Sequence, residues 1–234
     1  MTAPFDPAAA ARWLVEAIET GNPLRDLPDD LAPPDQVAGE DIAIATLDAA
    51  GLAACGVRLL RLADGALLAG PMLEGRLLAS GAPVALSMLR HPSLTAAAIG
   101  VLAEDLAEDG HGLPRFAALH AALDIAATRF TETPATLPLR AADLGGLGLV
   151  VAGRPKRVEP GLIRVLIGPA GTRRQGQQVD LLDAFAAAAQ AARRLGGLPA
   201  GALLVVAGLS PPVPAEGLVA ADLGPLGKVE ARFT

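Results

Sequence analysis

Apolar and polar positions along this chain recur with two different periods. In residues 7–20, PAAAARWLVEAIET, Trp13, Leu14, Ala17 and Ile18 fall at helical spacing. Asp6 stands at the N-cap position, Pro7 opens the first turn and Gly21 follows the last, so both ends of a helix are marked. Residues 40–50, EDIAIATLDAA, predict a second helix closed by Gly51. Between the two, residues 22–35 hold four prolines and four aspartates and predict an irregular crossing. Residues 180–195, DLLDAFAAAAQAARRL, predict a third helix. Asp180 caps it, Arg193 and Arg194 suit its C-terminal dipole, and Gly196 and Gly197 end it.

The rest of the chain reads mainly as strands. Residues 56–65, GVRLLRLADG, carry Val57, Leu59 and Leu62 with interleaved arginines. Residues 75–87 contain a glycine turn and predict a hairpin-like return. Residues 144–153, 162–168 and 202–210 are apolar runs bounded by Gly or Pro, and residues 228–233, KVEARF, alternate. The segment LTAAAIGVL within residues 91–106 has Thr95 as its lone polar residue and predicts a buried strand or short buried helix. Residues 114–122 read as helical and place His120 on a helix. The order lacks a regular strand–helix alternation. It predicts an α+β fold around a curled mixed sheet, with residues 1–234 as a single domain and residues 1–52 as its helical N-terminal part.

Composition limits the function. The chain is 52% hydrophobic and 3% aromatic, so its core rests on Leu, Val, Ile and Ala. A net charge of -6 argues against a nucleic-acid partner, which requires a concentrated basic patch. Its basic clusters, at residues 154–157, 173–175 and 193–194, are short and predict solvated loops or helix ends. The single cysteine, Cys55, excludes an internal disulfide and a cysteine-based metal site, and its apolar setting predicts an inert thiol. No basic, then apolar, leader opens the chain and no apolar run spans a bilayer, so a cytoplasmic protein without membrane contact is expected. The positive mean hydropathy suits buried subunit contacts.

Several chemistries drop out by motif. There is no phosphate-binding GxxxxGK[ST] loop, no GxSxG elbow, no HEXXH and no CXXC. GGLGLVVAG is glycine-rich but precedes no helix. His91, His111 and His120 are far apart. Glu104, Asp105, Glu108 and Asp109 predict a solvated acidic turn.

Four segments taken in order, ALDIAATRF, RAADLGGLGLVVAGR, AARRLGGLPAGALLVVAGLSPP and LGKVEARF, carry a resemblance. They are similar to the 2-keto-4-pentenoate hydratase branch of the fumarylacetoacetate hydrolase superfamily, which includes oxalocrotonate decarboxylases. GVRLLRL resembles a further motif of that family, and the likeness runs over most of residues 39–233. It implies N-terminal helices around a mixed β-roll, a homo-oligomer, and a magnesium or manganese ion that holds the carboxylate and 2-oxo oxygens of a substrate and stabilises its enolate.

The resemblance also implies where the chemistry departs. Two family glutamates that ligate the metal, spaced i and i+2 on one strand face, fall at Thr95 and Ala97. The third ligand falls at Asp124. The catalytic lysine falls at Arg58, whose guanidinium cannot exchange protons as an amine does but can clamp a carboxylate. Asp143, Gly208 and Ser210 match retained family positions. The resemblance thus implies a site without its divalent metal, in which Arg58, Gly208 and Ser210 bind a small 2-oxo or enol acid. Asp124 or Asp143 would serve as general base, or Asp124 would form an ion pair with Arg129.

Three functions compete: a hydratase- or lyase-like enzyme of altered mechanism; a non-catalytic member that binds a small carboxylic acid or pairs with a related decarboxylase-type subunit; and an ordinary magnesium- or manganese-dependent hydratase. No cofactor is expected in the first two.

Overall fold

The computed structural model of the chain describes residues 5–172 and 176–234; the basic cluster expected at residues 173–175 lies outside these. Helix α1 (Pro7–Thr20) begins where Asp6 Oδ1 accepts the Ala8 and Ala9 N–H groups and ends at left-handed Gly21. Helix α2 (Gln36–Ala50) starts four residues before the expected boundary, because Asp35 caps it by accepting the Ala38 N–H. Ala10, Leu14, Ile42 and Phe130 form the small core between these helices and the body. Trp13, expected on the buried face, is 42% exposed.

Among the described residues twelve strands follow, with two more α-helices among them. They are β1 (Ala54–Arg61), β2 (Leu67–Leu73), β3 (Leu77–Ala79), β4 (Pro83–Val84), β5 (Ser93–Leu102) and β6 (Phe116–Ala126). Then come α3 (Leu137–Ala142), β7 (Leu147–Ala152), β8 (Leu162–Pro169) and β9 (Gly176–Asp180). Helix α4 (Leu181–Arg194), β10 (Leu203–Ala207), β11 (Leu218–Asp222) and β12 (Lys228–Phe233) complete the described elements. One sheet runs β2-β1-β10-β5-β6-β7-β3 and the other β4-β12-β11-β8-β9. Both are mixed: β1 with β10, β3 with β7 and β4 with β12 are parallel, and the remaining pairs antiparallel. Among the described residues, no helix is long and apolar enough to cross a membrane.

Two expectations fail here. Residues 114–122 are not helical: Phe116–Ala126 is strand β6, which also carries His120. Its alanine-rich sequence favours a helix locally, but a full antiparallel ladder with β5 overrides that propensity. Residues 75–87 form no hairpin, because β3 and β4 join different sheets.

Strand alternation divides the core. On one face of the large sheet, Leu94, Ala96 and Ala98 of β5 and Leu119, Ala121 and Leu123 of β6 pack toward Val219 and Val229 of the second sheet and Phe185 of α4. On the other face Ala97, Ile99, Ala122, Val205, Leu68 and Val150 fill the inside of the curl. Arg194 of α4 pairs with buried Glu40 of α2, tying helices on separate parts of the chain.

Candidate functional site

The same alternation that buries Ala97 and Ile99 inside the curl puts Thr95 there, one pleat nearer the open end. Thr95 lies directly opposite Asp124 in the β5–β6 register, and Ala97 opposite Ala122. Arg58, on β1, enters the same interior. Its Nε donates to Asp124 Oδ1 and its Nη2 to Asp124 Oδ2, each at 2.6 Å. Its Nη1 donates to the Gly145 carbonyl at 2.8 Å. The side chains of Arg58 and Asp124 are 0% and 1% exposed. This is a two-pronged, desolvated ion pair with its remaining guanidinium nitrogen also satisfied.

Gly145 can reach Arg58 because of its backbone. It adopts a left-handed φ of 62°, and a Cβ there would come within 2.9 Å of the Gly70 Cα. Its neighbour Leu144 is also left-handed, at φ 53°, an uncommon conformation for a non-glycine residue. Asp143 holds this turn. Its carboxylate accepts from Thr128 Oγ1 at 2.6 Å and from Arg129 Nε at 2.5 Å, as well as from the Arg129 backbone N–H. Arg129 also donates to the Leu147, Ala127 and Asp143 carbonyls. The ion pair expected between Asp124 and Arg129 is therefore replaced by two others, Arg58–Asp124 and Arg129–Asp143.

Gly208 and Ser210 are sewn to β5. The Gly208 N–H donates to Thr95 Oγ1 at 3.1 Å, the Leu209 N–H to the Ala96 carbonyl, and the Ala96 N–H to Ser210 Oγ at 2.9 Å. The Ser210 hydroxyl donates onward to the Pro211 carbonyl. These bonds shape the rim of a cavity of about 650 Å³, whose wall includes Thr95, Asp124, Gly208 and Ser210. Of the seven residues singled out around the expected ligand positions and pocket, Arg58, Ala97 and Asp143 are not part of this wall. A smaller cavity of about 180 Å³ adjoins it, sharing Leu60, Ser93, Ala126 and Arg140.

Sequence reasoning missed Arg140. It lies on α3 and is half-buried, and its Nε donates to the Pro134 carbonyl at 2.6 Å. No local pattern distinguishes it from any other arginine near a helix end. Arg61 and Asp64, both exposed, stand at the outer rim. None of the three histidines lines the large cavity. Cys55 lies apart on β1, with its thiol donating to the Met72 carbonyl; burial and the charge of Glu74 push the thiol up from its ordinary range. The acidic turn is exposed as expected, with Glu104 paired to Arg115.

The oxygen donors facing the large cavity are few. Its wall carries two carboxylates, Asp124, already held by Arg58, and Asp64, at the exposed rim. Among the described residues no three His, Cys, Asp or Glu side chains converge as a metal-ligand group. A hard divalent ion takes about six or more oxygens, with free carboxylates among them. This donor set does not fit one.

Solved structures share this fold. The 4-oxalocrotonate decarboxylase of Pseudomonas putida G7, complexed with magnesium and adipate, superposes with a TM-score of 0.81 at 18% identity, over 97% of each chain. The same enzyme complexed with calcium and acetate gives 0.79. The 5-carboxymethyl-2-hydroxymuconate delta-isomerase of Mycobacterium smegmatis gives 0.55 at 11% identity, over 78% of each chain. No family model matches the chain. No curated protein matches it either. The likeness establishes an α+β, fumarylacetoacetate hydrolase-like fold, as the sequence resemblance implied.

Proposed function

We propose that this protein binds a small carboxylic acid in the cavity above Asp124, holds it without a divalent ion, and does not turn it over by metal-stabilised enolisation. The observation that carries the proposal is the buried Arg58–Asp124 pair. Arg58 brings a fixed positive charge to the interior, and both oxygens of Asp124 accept from it. A divalent ion would have to displace that guanidinium and leave it buried without its partner, a change costing about 3–5 kcal/mol.

The altered-enzyme alternative needs a free base. Both oxygens of Asp124 and both of Asp143 already accept hydrogen bonds from charged or polar donors, so neither carboxylate stands ready to take a substrate proton. Non-catalytic binding is thus the better-supported reading. The shared fold supports the choice of ligand class, since one enzyme of this fold, the 4-oxalocrotonate decarboxylase, was solved with magnesium and adipate and with calcium and acetate.

The test is calorimetric titration of the purified protein with magnesium, then manganese, and separately with small acids in the presence of a chelator. The expected result is no metal binding in the micromolar range and acid binding indifferent to the chelator. Micromolar metal binding, or acid binding abolished by the chelator, overturns the proposal and restores a metal-dependent hydratase.

A further inference from the structure

With its buried ion pair closed on itself, the cavity has an unusual charge count. Among the described residues, the guanidiniums of Arg58, Arg61 and Arg140 stand against the carboxylates of Asp64 and Asp124. Arg58 and Asp124 cancel. Arg61 and Asp64 share the exposed rim, where water screens them. Arg140 is left. It is half-buried at the junction of the two cavities, and no described carboxylate lies within ion-pair distance of it. Its Nε bond to the Pro134 carbonyl fixes the guanidinium plane, and its two terminal nitrogens have no hydrogen-bond partner among the described residues. That is the fork geometry that receives a carboxylate through two parallel bonds.

The remaining wall carries no further charge: Leu60, Leu62, Ala126, Pro211 and Pro212 are apolar, and Ser93, Thr95, Gln177 and Ser210 are its neutral polar points. We propose that Arg140 is the specificity-determining residue of this cavity and that its ligand is a monocarboxylate with a short apolar chain. The proposal rests on the acid-binding reading above and narrows it.

The physical argument is one of matching. Where a metal is present, a 2-oxo acid gains from presenting two oxygens to one ion. Without the ion that advantage disappears, and one guanidinium satisfies one carboxylate. A second carboxylate at the far end of the ligand would have to lose water against Leu62, Pro211 and Pro212, and the cation on that side, Arg61, is exposed at the rim with Asp64, where water screens it. An apolar chain gains from the same contacts.

Hexanoate and adipate test this, being six-carbon acids that differ in one end group, with oxalate as the compact two-oxygen ligand. Binding is followed by calorimetry in chelator, with circular dichroism to confirm that each variant is folded. Hexanoate is expected to bind at least about tenfold tighter than adipate or oxalate, since one unmatched buried charge exceeds that factor. Arg140→Gln is expected to weaken hexanoate about tenfold or more, Arg140→Lys by an intermediate factor, and Arg61→Gln by less than about threefold. Adipate or oxalate binding as tightly as hexanoate, or hexanoate binding unchanged in both Arg140 variants, overturns this assignment while the acid-binding reading stands. If none of the three acids binds, both fall.

Discussion

Arg58 and Asp124 touch at 2.6 Å although their strands, β1 and β6, are three steps apart in the sheet. Neighbouring strands lie about 4.8 Å apart, so a flat sheet would put these backbones about 14 Å from each other. The side chains close two-pronged because the sheet curls and both enter its concave face. The pair therefore joins β1 directly to β6 across β10 and β5, which the hydrogen-bond ladder connects only in series.

Removing one partner of this pair should be costly and removing both should not. Arg58→Ala leaves a desolvated carboxylate, and a loss of about 3–5 kcal/mol in unfolding free energy is expected by urea denaturation. Asp124→Asn should fall in the same range. The double variant Arg58→Met with Asp124→Leu fills similar space without charge and should lie within about 2 kcal/mol of the parent. Single variants costing under about 1 kcal/mol would show that the pair is not the closed interior unit described above.

The rim offers a second, independent check. Thr95→Val keeps the side-chain shape but leaves the Gly208 N–H without its acceptor, and Ser210→Ala does the same to the Ala96 N–H. Each should cost about 1–3 kcal/mol. Both bonds fasten residues 208–210 to neighbouring positions of β5, so the double variant should cost less than the two losses added. Strict additivity in a double-mutant cycle would mean that the rim is not one unit.

Much of the fold was legible because local rules and tertiary structure agree. Asp6 and Asp180 cap helices where their sequence positions imply. The period of two on residues 95 and 97 correctly placed both side chains on one strand face. Beta strand β6 was illegible because alanine suits a helix and its pairing partner lies upstream in the chain. The partner of Arg58 was illegible for a related reason. Arg129 is five residues from Asp124 and Arg58 is 66 residues away, and sheet curvature rather than spacing decides between them. The free fork of Arg140 depends on which carboxylates the fold leaves out of reach, which no single segment encodes.

Cys55 gives a pH-dependent readout. Burial is the main cause that raises its thiol, and Glu74 adds to it. A raised thiol holds its proton to higher pH, so less thiolate exists at a given pH. Iodoacetamide alkylation of the folded protein at pH 8 should be slower than in urea, and the gap should narrow as pH rises. Glu74→Gln removes the lesser cause and should speed alkylation by about two- to threefold. Equal rates in folded and unfolded protein would contradict the burial of this thiol.

Gly21 and Gly208 separate backbone strain from crowding, because both have a φ of 72°. A Cβ at Gly21 would meet nothing within 4 Å, whereas at Gly208 it would lie 2.1 Å from the Arg61 carbonyl oxygen. Gly21→Ala thus carries only the left-handed backbone penalty, about 1–2 kcal/mol. Gly208→Ala carries the same penalty and must also push apart the end of β1 and the loop after β10. Since Arg61 and Gly208 both line the large cavity, that displacement should weaken the proposed acid binding as well as stability. The expected outcome is a Gly208→Ala protein less stable than Gly21→Ala by at least about 1 kcal/mol, an overpacking penalty, with the binding change confined to Gly208→Ala. Equal losses in the two variants, measured by urea denaturation, would mean that the approach of Gly208 to Arg61 yields without resistance and does not set the shape of the rim.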